Sequence, residues 1–124
     1  MVINHISIGT SNITQAIKFY DDVLSTISIK RTHYIENIAA AYGERFEFWV
    51  NTPYEGKVSS GNGSHIAFNA PSIEAVKNFH QVALKLGGTC AGEPNYRKEY
   101  GNNYYAAFVY DLDAHKIEAV YLDD

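Results

Sequence analysis

The chain has 124 residues, enough for one domain or for two halves that depend on each other. Hydrophobic residues at 46% and charged residues at 19% exclude a disordered or coiled-coil chain. A formal net charge of −4 with no basic cluster argues against nucleic acid or an anionic membrane as partner. No apolar run approaches the ~20 residues of a membrane span. The single cysteine, Cys90, leaves no intrachain disulfide and no paired-cysteine zinc motif, as expected of a cytoplasmic protein.

The opening MVINHISIG reads as a strand rather than a signal peptide. The helix that follows carries Ala16, Tyr20, Val23 and Leu24 at helical spacing, with Asn12 as its N-cap candidate. Short β-like runs come next, over 28–34, 38–42 and 45–50. The order then repeats. NHISIGTSNITQAIKFYDDVL from Asn4 lies over SHIAFNAPSIEAVKNFHQVAL from Ser64, so that His5 falls on His65, Ile13 on Ile73 and Phe19 on Phe79. Ser72 caps the second helix, whose stripe is Ile73, Val76, Phe79, Ala83 and Leu86, and Gly87-Gly88 ends it. Strands are expected over 89–93, 104–110 and 115–122.

Each half is therefore βαβββ: a module over 1–51, a connector over 52–63 and a module over 64–122, together one α+β domain. Neither half covers both faces of its own sheet, so the modules must pair, within the chain or across a dimer.

Strand parity then separates the faces. Ile6 and Ile8 pack under the first helix and leave His5 opposite. Phe46, Phe48 and Val50 form an apolar face and leave Glu47 and Trp49 opposite. Ile66 and Phe68 set His65 outward, and Ile117, Ala119 and Tyr121 set Glu118 outward. One His and one Glu per half thus project from the face that its helix leaves open. A single such residue is most often solvated or hydrogen-bonded. Two inward carboxylates, however, call for compensating positive charge, and a divalent ion such as Ni²⁺, Zn²⁺, Co²⁺, Mn²⁺ or Fe²⁺ suits a His₂Glu₂ donor set.

The chain resembles the vicinal oxygen chelate superfamily of glyoxalase I, extradiol dioxygenases and bleomycin-resistance proteins. The resemblance runs over nearly the whole chain and is carried by NHISIG with NITQAIKFYDDVL, FEFWVN, GSHIAF and AAFVYDLDAHKIEAV. It implies two tandem βαβββ modules forming a cupped mixed sheet around one metal. In the glyoxalase I branch the ligand positions correspond to His5, Glu47, His65 and Glu118. Asn51 matches a substrate-site Asn of bacterial glyoxalase I, whereas Gly9 stands where that enzyme has an Arg linked to glutathione binding. The turn Asp111-Leu112-Asp113-Ala114 replaces the usual DPDG.

Four protein ligands on a six-coordinate ion leave two places, which a substrate with two vicinal oxygens fills, and no third for O₂. The implied chemistry is metal-stabilised enediolate formation by a lyase or isomerase, with Glu118 or Glu47 as base. The alternatives are an epimerase or transferase on the same scaffold, or a metal-independent binding protein of the bleomycin-resistance kind. Trp49 and Asn51 are candidate substrate contacts, as are Arg97, Lys98 and Tyr100 in the Tyr-rich stretch before the seventh strand. A homodimer is expected, its sites formed within one chain or across the two. Cys90 has no basic neighbour in sequence and is not expected to be a nucleophile.

Overall fold

A computed structural model describes residues 2–123. The first module contains β1 (Ile6–Gly9), α1 (Ile13–Ser25), β2 (Arg31–Ile35), β3 (Ala39–Tyr42) and β4 (Phe48–Asn51). The second contains β5 (His65–Asn69), α2 (Ile73–Lys85), β6 (Thr89–Tyr96), β7 (Tyr104–Tyr110) and β8 (Lys116–Leu122). Each module forms a four-stranded mixed sheet, ordered β1-β4-β3-β2 in one and β5-β8-β7-β6 in the other. The outer pairs β1–β4 and β5–β8 are parallel, and the remaining pairs are antiparallel. This is the tandem βαβββ order that the internal repeat predicts.

The helix ends follow from side-chain chemistry. Asn12 Oδ1 accepts the Gln15 N–H at 3.0 Å, and Ser72 Oγ accepts the Ala75 N–H at 3.0 Å. At the far end of α2, Gly87 adopts φ +103°, Gly88 N donates to Ala83 O and Gly87 N donates to Leu84 O. Those two bonds make a Schellman cap, which needs a residue free to enter the left-handed region.

One core serves both modules. Phe19, Tyr20, Val23 and Leu24 of α1 join Val76 and Phe79 of α2, Val50 of β4, and Ile117 and Ala119 of β8. Phe48 of β4 meets Phe68 of β5 edge to face, with ring centroids 5.0 Å apart. A polar staple reinforces this contact. Asp113, in the β7–β8 turn, accepts from Thr10 Oγ1 at 2.6 Å and from Ser11 N and Oγ at 2.9 and 2.7 Å. Tyr20 donates its hydroxyl hydrogen to Asp111, and His115 Nε2 contacts Gly9 O at 2.7 Å. The β7–β8 turn thus clamps the β1–α1 junction of the other module.

Two expectations fail locally. Phe46 does not share the buried face of Phe48 and Val50: its φ of +58° breaks the strand alternation, and its exposed ring lies against those of His33 and Trp49. β6 does not stop before Pro94 but continues to Tyr96. It is the edge of its sheet, where a missing N–H costs no ladder bond.

Candidate functional site

In the second module the face of the sheet away from α2 carries the candidate residues. There Ala67 pairs with Glu118, and His65 pairs with Lys116. His65 and Glu118 therefore lie two register steps apart on adjacent parallel strands, and His65 Nε2 reaches Glu118 Oε1 at 2.9 Å. The Glu118 side chain is 1% exposed and that of His65 45% exposed, so the imidazole forms the outer member of the pair. Tyr104 donates its hydroxyl hydrogen to the second oxygen, Glu118 Oε2, at 2.5 Å. Burial, with that bond and the carboxylate's charge, raises the Tyr104 pKa and keeps it a proton donor.

The first module does not mirror this arrangement. Ile6 pairs with Phe48 and Ser7 with Trp49, so the residue in the register position of Glu118 is Trp49. Glu47 corresponds to Lys116 and precedes β4. Its carboxylate turns toward the neighbouring turn, accepts the Arg45 N–H at 2.8 Å and lies over Gly43, where a Cβ would stand 2.4 Å from Glu47 Oε1. His5 precedes β1, is exposed and contacts Asn4 Oδ1 through Nδ1 at 2.7 Å. Its ring lies 6.5 Å from that of Trp49, which also meets His33 and Phe46. The first module thus offers an aromatic wall where the second offers a hydrogen-bonded carboxylate.

Among the described residues, no three His, Cys, Asp or Glu side chains gather so as to hold a metal. His65 and Glu118 supply one nitrogen and one oxygen donor, which suits half of a divalent centre. His5 and Glu47 do not join them within the folded chain, so the four-donor set does not fit there.

Of the candidate substrate contacts, Arg97 and Tyr100 approach this pair through Phe108 and Tyr104, whereas Trp49 and Asn51 belong to β4 of the other module. Arg97 lies over the Phe108 ring, with its Cζ 5.4 Å from the centroid, and Tyr100 lies 5.2 Å from Tyr104 between ring centres. Asn51 ends β4, and its buried Oδ1 has no hydrogen-bond partner among protein atoms. Lys98 lies in the exposed β6–β7 turn. A cavity of about 450 Å³ opens beside His65, lined also by Ser60, Asn62, Tyr110 and Lys116.

Tyr104 and Phe108 escape sequence reasoning, whereas Lys116 shares the parity of Glu118 and could have been found from it. The run YYAAFVY is apolar on both faces, so parity cannot say which side faces the site. Cys90 does have a basic neighbour after all: His80 Nε2 lies 3.2 Å from its Sγ. Only the packing of α2 on β6 brings the two together. Burial lowers the His80 pKa. Among the described residues, no helix is long and apolar enough to cross a membrane.

The sequence model of the Glyoxalase/Bleomycin resistance protein/Dioxygenase superfamily matches residues 2–119. A solved glyoxalase/bleomycin resistance protein from Albidiferax ferrireducens is 30% identical over 98% of this chain and 99% of its own, with a TM-score of 0.88. A glyoxalase/bleomycin resistance protein/dioxygenase family enzyme from Burkholderia phytofirmans is 17% identical, covering 96% and 97% of the two chains at a TM-score of 0.73. Lactoylglutathione lyase from Agrobacterium tumefaciens is 14% identical, covering 97% and 92% at a TM-score of 0.68. At these lower identities the likeness is one of fold. No curated protein matches the chain.

Proposed function

The chain belongs to the Glyoxalase/Bleomycin resistance protein/Dioxygenase superfamily, and on that premise we propose a cytoplasmic lyase or isomerase acting on a small substrate with two vicinal oxygens. The observation that carries this reading is the His65–Glu118 pair, backed by Tyr104 and open to a cavity on the imidazole side.

The proposed chemistry is proton transfer at a carbon beside a carbonyl. His65 turns from Glu118 to a substrate oxygen and frees Oε1. Glu118 takes the carbon-bound proton, and Tyr104 holds the other carboxylate oxygen in place. Return of the proton to the neighbouring carbon isomerises the substrate. Epimerisation instead requires a second proton donor on the opposite face of the deprotonated carbon. Since the four candidate donors do not converge in one chain, a metal-dependent form requires a homodimer that brings His5 and Glu47 of one copy to His65 and Glu118 of the other.

The test combines elemental analysis of stripped and reconstituted protein with turnover of 2-oxoaldehyde hemithioacetals over several metals. Metal uptake lost in His65→Ala, together with turnover, supports the lyase. Trp49 in the register place of a second carboxylate favours one other reading, a metal-independent binding groove. That reading predicts ligand binding without turnover or metal uptake, its affinity little changed by His65→Ala.

A further inference from the structure

Beside the buried carboxylate lie two cations with no acidic partner. Phe108 pairs with Glu118 across β7 and β8, and its ring centre lies 5.9 Å from that of His65. Lys116 Nζ stands 5.1 Å from the same ring centre, and the Arg97 guanidinium stands 5.4 Å from it. Both cationic side chains are half-buried. The ion pairs among the described residues are Arg31 with Asp21 and His65 with Glu118, so none of the described carboxylates lies within 4.0 Å of either cation.

The backbone is shaped around this cluster. β6 shifts register on both sides of Gly92. A Cβ on Gly92 would lie 3.0 Å from Phe108 Cδ1 and 3.1 Å from Arg97 Nη2, so the glycine lets the guanidinium and the ring pack closely against β6. Arg97 Nη2 is anchored on the carbonyls of Glu93 and Ala106, while its buried Nε has no partner. Lys116 also lines the cavity that opens at His65.

We propose that Lys116 and Arg97, both packed against Phe108, form an anion subsite, so that the substrate is a small organic anion whose carboxylate sits there while its reacting end meets His65 and Glu118. This rests on placing the site at that pair, and it adds the substrate class. Arg97 supplies geometry through its planar guanidinium, and Lys116 supplies a mobile point charge at the cavity wall.

The test is calorimetric titration with oxaloacetate, 2-oxoglutarate and 2-oxoadipate, each compared with its distal methyl ester. At least one free acid should bind the wild type more tightly than its ester. Lys116→Met should weaken that acid about tenfold and leave the ester unchanged, the loss expected for one charge-assisted contact. Lys116→Arg should restore it, and Arg97→Gln should weaken it in the same selective way. Thermal unfolding of each variant shows whether it is folded. Equal binding of acids and esters, binding by none of the acids, or an acid preference that survives in folded Lys116→Met and Arg97→Gln overturns the subsite. Because the readout is binding, acid-selective binding without turnover retains the subsite and rejects only the lyase reading.

Discussion

Tyr104 and His65 hold the two oxygens of Glu118 from opposite sides, one as a phenol donor on Oε2 and the other as an imidazole on Oε1. The carboxylate is almost wholly buried, yet one of its partners is half exposed. That asymmetry makes Oε1 the oxygen that can be released to a substrate and Oε2 the one that is fixed.

Tyr104→Phe should therefore cost stability as well as activity. It leaves Oε2 buried with no donor, a loss of about 1–3 kcal/mol. His65→Ala opens Oε1 to water and should cost less. Urea unfolding of the two variants checks the order.

Asp113 joins the modules, and its titration should show in the acid limb of stability. Burial pushes its pKa up, but the hydrogen bonds from Ser11 and Thr10 outweigh that and hold it below the ordinary value of 3.8. A depressed carboxylate contributes stability above its unfolded pKa and loses it as pH falls through the folded one. Asp113→Asn should thus be less stable than wild type near neutral pH, with the gap closing as the pH falls below the ordinary carboxylate range. Taking the difference between the two proteins matters, because burial raises the pKa of Asp111 and gives a contribution of opposite sign.

In the same turn, Ala114 adopts φ +67°, a left-handed conformation that costs a residue with a Cβ about 1–2 kcal/mol. Ala114→Gly removes that strain and adds flexibility to the unfolded chain. The net expectation is a gain of about 0.5–1 kcal/mol, read as a higher urea midpoint.

Gly88 shows the opposite case, close approach rather than φ. A Cβ there would lie 2.8 Å from Tyr110 O and 2.9 Å from Ala83 O, both backbone atoms, and 3.2 Å from the Phe19 ring. Gly88→Ala should lose about 2 kcal/mol or more, because neither carbonyl can yield without moving α2 or β7. Thermal unfolding checks it.

The sequence by itself determined the modules, the helix caps and the open face of β5 and β8. Those features are local: a strand alternates every two residues, and an N-cap needs one oxygen ahead of its helix. His65 and Glu118 were legible for that reason, since Ile66, Phe68, Ile117 and Ala119 mark the buried side unambiguously. Parity failed at Phe46, where a single left-handed residue resets the alternation and turns the Glu47 carboxylate toward Gly43. Only the tertiary structure decided the β1–β4 register that sets Trp49 opposite Ser7, the face of β7 that presents Tyr104 and Phe108, and the meeting of His80 with Cys90. Each depends on hydrogen-bond register or on helix-to-sheet packing between segments distant in sequence, which no local period encodes.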